Sequence, residues 1–183
     1  MAIIGKNGSG KTTLLKLITG LIQPTSGDVW FSGINLTEAN LSDVHRRIGF
    51  VMQENMLFNA TIADNLRFGK SNATNEELVD ACKKAFIYEF VQSLPDGFQT
   101  IIGERGLKLS GGQRQRLVLA RLFLRDVDVF IFDEATSALD QYSESMIHDA
   151  IHNFSRDKTI IVVAHRASSI ALCDRRIVLG AAS

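Results

Sequence analysis

Cysteine is scarce: Cys82 and Cys173 are the only two among 183 residues. They lie far apart and match no metal-ligand spacing, which suits a reducing cytosol, and each reads as a small buried hydrophobe. An excess of charge of either sign is also lacking. Lys plus Arg and Asp plus Glu stand at 20 each, so no global charge points to nucleic acid or to an acidic lipid surface. Long hydrophobic runs are missing as well. The most apolar stretches, VDVFIFDEA and TIIVVAH, are strand-length and bounded by charge, well short of the roughly 20 residues a membrane helix needs. The chain is therefore not expected to span a membrane by itself, and no signal peptide is visible. Neither an internal repeat nor a low-complexity segment interrupts it. What remains has the size of one ordinary domain with room for a smaller lobe, and is long enough to bury a real core.

Hydrophobic periodicity supplies the positive signal. Ala2–Ile4 reads as a short buried strand, and Lys11–Thr19 as a helix ended by Gly20. Asp28–Phe31, between Gly27 and Gly33, has the marks of an edge strand, and Ile48–Met52 those of another strand. From Ile62 to Val91 the pattern turns helical through ATIADNLRF, NEELVDACKKAF and YEFVQSL, ending at Pro95. Val127–Phe132 and Thr159–Ala164 are continuous apolar runs rich in β-branched residues, as expected of parallel strands covered on both faces. Helices are predicted over Gln113–Leu124 and Ser143–Phe154. Strands alternating with helices predict an α/β parallel sheet, into which the central block inserts a mostly helical lobe.

The stretch GKNGSGKT, Gly5 to Thr12, has the spacing of a phosphate loop: Gly, four residues, Gly-Lys, then Ser or Thr. Gly5, Gly8 and Gly10 let the backbone take positive φ and approach phosphates without a Cβ in the way. Asn7, Ser9 and Thr13 complete the cradle, whose N–H groups converge on an anion together with the positive end of the following helix. Lys11 supplies a mobile charge for the β- and γ-phosphates, and the Thr12 hydroxyl is placed to ligate Mg²⁺. A merely connecting Gly-rich turn would not require this full spacing. A nucleoside triphosphate site is expected.

Such a loop needs a second carboxylate for its metal, usually at the end of a neighbouring strand. In VDVFIFDEA, Val129–Phe132 carry the chain through the core and deliver Asp133 and Glu134 at a strand's C-terminal edge, where ligands of open α/β sheets bind. Asp133 would hold Mg²⁺, and Glu134 would polarise the attacking water as general base. His148 and His152, four apart on a helix, have a spacing that can bind zinc. The intervening acid is Asp149, however, and no third ligand is evident, so they are expected to be solvated.

Further motifs follow in a specific order. KLSGGQRQRLVLAR contains LSGGQ, Leu109 to Gln113, ahead of Asp133; this resembles the signature of the ATP-binding-cassette (ABC) family. Physically it is a second anion site, with a Ser hydroxyl and glycine N–H groups opening a helix. A glycine turn before an amphipathic helix accounts for its shape but not for the Ser and the Gln. The resemblance implies that Ser110, Gly111, Gly112 and Gln113 complete the ATP site of a second nucleotide-binding domain, identical or different, with two ATP molecules held head to tail. It also implies that Gln53 contacts the Mg²⁺ and attacking-water region and senses the membrane partner. SALD, ending at Asp140, would cross the dimer interface beside Glu134, and His165 would contact the γ-phosphate. TIIGERG, Thr100 to Gly106, resembles the exporter segment whose glutamate, here Glu104, faces the coupling helices of the transmembrane domains. NATIADNLRFG and FVQSLPDGF have the same exporter character.

The resemblance runs from Ala2 to about Leu179 and implies a RecA-like P-loop NTPase core over 1–53 and 113–183, with a helical subdomain over 54–112. It implies an ATPase with ATP and Mg²⁺, peripheral at the cytoplasmic face of a membrane, with no nucleic-acid partner. Family members carry strands before the phosphate loop, including an aromatic residue that stacks on adenine. That antiparallel β region is largely missing here, Trp30 and Phe31 are no replacement, and RRIVLGAAS stops where a last strand should lead into helices, so a domain trimmed at both ends is expected. Two alternatives remain open: a soluble cassette ATPase in DNA repair or translation, and a nucleotide-binding interaction module without turnover.

Overall fold

The computed structural model describes residues 1–51, 56–133, 140–154, 158–163, 167–171 and 173–180. In chain order these form β1 (Ala2–Gly5), α1 (Lys11–Ile18), β2 (Trp30–Phe31), β3 (Ile34–Asn35), α2 (Leu41–Arg46) and β4 (Ile48–Val51). There follow α3 (Ile62–Arg67), α4 (Asn75–Lys84), α5 (Tyr88–Ser93), α6 (Gly111–Phe123), β5 (Val129–Asp133), α7 (Gln141–Phe154), β6 (Thr159–Val163), α8 (Ala167–Ala171) and β7 (Arg176–Leu179). The chain divides into two compact units. One comprises Met1–Gly49, Val127–Phe132 and Lys158–Ser183, and the other Phe50–Asp126 and Asp133–Asp157.

The first unit is organised by a five-stranded sheet in the order β4-β5-β6-β1-β7. β1 pairs in parallel with β6 (Ala2 opposite Val162) and with β7 (Ala2 opposite Arg176, Gly5 opposite Leu179). Successive rather than alternate residues are buried: Ala2 and Ile3, then Phe130 to Phe132, then Ile161 to Val163. Burial on both faces requires this pattern, and it is why these strands read as unbroken apolar runs. β2 and β3 form a separate antiparallel hairpin, Trp30 opposite Asn35. Arg47 pairs with Asp128 and its guanidinium lies 5.4 Å from the Phe31 ring centre. Helix α1 ends where glycine allows it: Gly20 takes φ +71, its N–H donates to Leu17 O at 3.0 Å, and the N–H of Leu21 donates to Lys16 O at 2.8 Å. This pair of bonds satisfies the last carbonyls of the helix.

The second unit is helical, and the starts of α3, α4, α6 and α7 carry side-chain caps, whereas α5 has none. The Thr61 hydroxyl accepts from the Asp64 N–H at 3.0 Å, and Thr74 and Glu77 form a reciprocal capping box ahead of α4. Leu66, Leu78, Cys82, Val91, Leu117, Leu119 and Ile147 make its core. The fully buried Asn65 amide accepts from Phe58 N at 2.8 Å and donates to Phe58 O and Thr61 O, both at 3.0 Å, fixing the loop before α3. The predicted helical block thus resolves into α3, α4 and α5. Cys82 is buried as expected, its thiol pushed up to about 12 by desolvation, whereas Cys173 is half-buried. His148 departs from the solvated reading: only 13% of its side chain is exposed, and it lies 3.7 Å from Glu144.

Candidate functional site

The phosphate loop joins β1 to α1. A Cβ on Gly5 would fall 2.3 Å from Ser9 Oγ and 3.0 Å from Leu179 O, so the loop folds tightly over the strand end only because that position has no side chain. Gly8 and Gly10 take φ of +80 and +89 with open space where a Cβ would lie, so their requirement is conformational. The Ser9 N–H closes the turn onto Lys6 O at 3.1 Å. Gly10 then opens α1 with no side-chain cap and no acidic residue in the first turn. The leading N–H groups of this helix lack intrahelical partners and carry its positive dipole end.

Lys11 is only 8% exposed, and its Nζ donates to the carbonyls of Gly5 at 2.8 Å and Lys6 at 3.0 Å. The ammonium is enclosed by the loop's own oxygens. Thr12 and Thr13 are exposed in the first turn of α1, and Asn7 is exposed in the loop. Ser9 Oγ is buried with no hydrogen-bond partner among the described residues, a costly state for a hydroxyl. An uncapped helix start, an enclosed ammonium and an orphaned buried hydroxyl fit a phosphate group.

The signature lies in the second unit and is built on a different principle. Ser110 precedes α6; its Oγ accepts from the Gln113 N–H at 3.2 Å while Gln113 Oε1 accepts from the Ser110 N–H at 2.8 Å. The Ser and the Gln therefore have a structural job, a capping box, which the spacing Ser-x-x-Gln could have revealed. The cap also explains why α6 starts at Gly111, two residues before the predicted Gln113. It leaves the Ser110 O–H free to donate. Gly111 is exposed at the first helical position, and Gly112 is buried because α7 lies against it: an added Cβ would be 2.3 Å from Ser143 Oγ. Asp140 accepts the Ser143 N–H at 2.9 Å, and hydrogen bonds from Ser143 hold its carboxyl below the usual carboxylate range. This cap starts α7 at Gln141 rather than the predicted Ser143.

Of the other predicted site residues, Asp133 is the half-buried last residue of β5, which stands two places from β1 in the sheet order. Glu104 sits in a short 3-10 turn, exposed. Gln53, Glu134 and His165 lie outside the described residues. One feature was not predicted from the sequence: a cleft of about 270 Å³ in the second unit, lined by Phe58, Phe68, Arg121 and Arg125 among others. Phe58 and Phe68 stack at 4.1 Å, Phe68 is 64% exposed, and Arg121 Nη1 donates to Met56 O at 2.9 Å. Its sequence signal is the pair of aromatics, Phe58 and Phe68, on either side of α3.

Comparison with known proteins agrees with this geometry. The family model described as ABC transporter matches residues 1–137. Two Staphylococcus aureus proteins, from strains NCTC 8325 / PS 47 and COL, are each 44% identical over 179 residues; both bear the name "Putative multidrug export ATP-binding/permease protein". The match takes in 98% of this chain but 31% of theirs, so the chain spans about a third of the length of these relatives. A solved structure of a bacterial Atm1-family ABC exporter with ATP bound superposes with a TM-score of 0.90 at 37% identity, covering 100% of this chain and 32% of that one. The fold is that of a P-loop NTPase, and the chain belongs to the ABC transporter family as its nucleotide-binding part.

Proposed function

We propose that this domain binds and hydrolyses ATP to power export through partner transmembrane domains. The orphaned Ser9 hydroxyl above the uncapped start of α1 carries the reading, because both acquire partners when a triphosphate enters. Asn7, Ser9, Thr13 and the N–H groups of Gly8 and Gly10 bind the phosphates. Lys11 exchanges the Gly5 and Lys6 carbonyls for β- and γ-phosphate oxygens. Thr12, Asp133 and Gln53 are the residues that would hold Mg²⁺, which when bound neutralises charge on those oxygens.

Ser110 and Gly112 of a second cassette face the γ-phosphate, head to tail, with Asp140 at the interface. Glu134 takes the proton of the attacking water. The water oxygen bonds to the γ-phosphorus as the bond to the β–γ bridging oxygen breaks, releasing ADP and phosphate. His165 keeps this geometry. In this scheme 1–53 and 113–183 act as the ATP-binding core and 54–112 as the lobe that meets the coupling helices, at the cytoplasmic face of the membrane. The Phe58–Phe68 cleft is its apolar receptor, with Gln53 and Glu104 relaying the movement.

The test is ATPase rate per molecule against protein concentration, with Mg²⁺, for the chain and for Glu134→Gln. The rate is expected to climb with concentration as cassettes pair, and the variant to be inactive. A Glu134→Gln protein as fast as the parent overturns the assignment.

A further inference from the structure

Arg116 sits on α6 one turn beyond Gly112 and is 9% exposed. Its Nη1 donates to Met146 Sδ, a weak acceptor, at 3.6 Å, and its Nε is buried with no hydrogen-bond partner among the described residues. Burial disfavours the charged guanidinium, and attraction from Tyr142 and Asp140 opposes that effect only in part. Packing gives no reason for a cation here, since an apolar side chain of similar length in a buried ionic position is often neutral or stabilising.

The surroundings suggest another reason. The position a Gly112 Cβ would take lies 3.6 Å from Arg116 Nη1, 2.3 Å from Ser143 Oγ and 2.7 Å from Ser143 Cβ. Ser143 in turn donates its N–H to Asp140 Oδ1, and the Glu144 N–H reaches Asp140 O, both at 2.9 Å. Gly112, Arg116, Asp140 and Ser143 thus occupy one corner, where the first turn of α6 meets the first turn of α7. That corner carries both the signature and the Asp140 segment.

We propose that Arg116 is a positioning residue, whose buried guanidinium, lodged between Gly112 and Met146, ties α7 to the first turn of α6, so that Ser110, Gly112 and Asp140 are presented to the nucleotide as one rigid corner. Its effect on turnover rests on the ATPase reading above; the clamp itself does not. The buried cation is retained for geometry at some expense of stability, a trade expected at functional sites.

Arg116→Met and Arg116→Lys in the full chain test this by amide hydrogen exchange at Gln113 and Ser143 without nucleotide, by thermal unfolding, and by kcat and KM for ATP. Arg116→Met is expected to keep or raise the unfolding midpoint while both amides exchange about tenfold faster, because the corner loosens without global unfolding. Its kcat is expected to fall by about tenfold or more through misplacement of the corner. KM should be unchanged because the phosphate loop is untouched. Arg116→Lys, which restores a charge, should recover part of both effects. Exchange at parent rates in Arg116→Met overturns the clamp. So does a midpoint that drops in both variants with kcat falling only as the folded fraction falls. If the parent turns over no ATP, the ATPase reading fails, and amide exchange still decides the clamp.

Discussion

The two helix starts proposed above to meet phosphates, those of α1 and α6, are built in opposite ways. α1 begins at Gly10 in a left-handed conformation with no side-chain cap, beside a buried hydroxyl that has no partner among the described residues. α6 begins at Ser110 with a reciprocal capping box and a glycine wedged against α7. The first start is left uncapped by its own side chains, as a cradle for a ligand would require. The second is satisfied by its own side chains and can be rigid before anything binds. The difference suits their proposed roles, one as a cradle that closes around the phosphates and the other as a preformed surface that arrives from a partner.

The contrast can be broken most forcefully at Gly112. Gly112→Ala places a methyl group against Ser143 and is expected to cost about 1–3 kcal/mol by overpacking, read as a lower unfolding midpoint. Adding Ser143→Gly, which removes both atoms in the way, should recover part of that loss in a double-mutant cycle. Unchanged stability in Gly112→Ala would mean that α6 and α7 are not wedged together as described.

The two serines should respond with opposite signs. Ser110→Ala removes a cap and is expected to destabilise the ligand-free chain by about 1 kcal/mol. Ser9→Ala removes an orphaned buried hydroxyl and should leave the ligand-free chain as stable or slightly more so, while weakening Mg-ATP binding. Denaturant unfolding and calorimetric titration separate the two. A destabilising Ser9→Ala would show that this hydroxyl is already satisfied in the free protein.

The smallest lever is pH, acting through α7. Burial holds His148 below its ordinary 6.5 although Glu144 and Asp149 pull the other way. As pH falls below 6.5 the unfolded chain takes up the proton first, so the stability that neutral His148 contributes is present above that pH and lost on acidification. His148→Gln is expected to flatten this part of the stability–pH curve, and a parallel curve would assign the slope to other groups.

Much of this was legible in advance, for physical reasons. A strand buried on both faces must be continuously apolar, so β1, β5 and β6 appear in the sequence within one or two residues of their observed bounds. The phosphate loop depends on three glycines and a lysine at fixed spacing, a local requirement that survives without any knowledge of the fold. The hairpin was half-legible: Trp30 and Phe31 read as an edge strand, while the two-residue partner Ile34–Asn35 is too short to leave a periodic signal. His148 departs from the solvated reading because helix periodicity puts it and His152 on one face and does not say how far along that face burial extends.

The sequence by itself determined the α/β class, the glycine and lysine spacing of the loop from Gly5 to Thr12 and the family that LSGGQ resembles, because each rests on local spacing and backbone conformation. Tertiary structure alone decided that Ser9 Oγ is buried without a hydrogen-bond partner among the described residues, that Gly112 is held by Ser143 and that Arg116 is enclosed beside Gly112 and Met146. These facts depend on which surfaces meet across distant parts of the chain, and no local pattern encodes the distance between two helices.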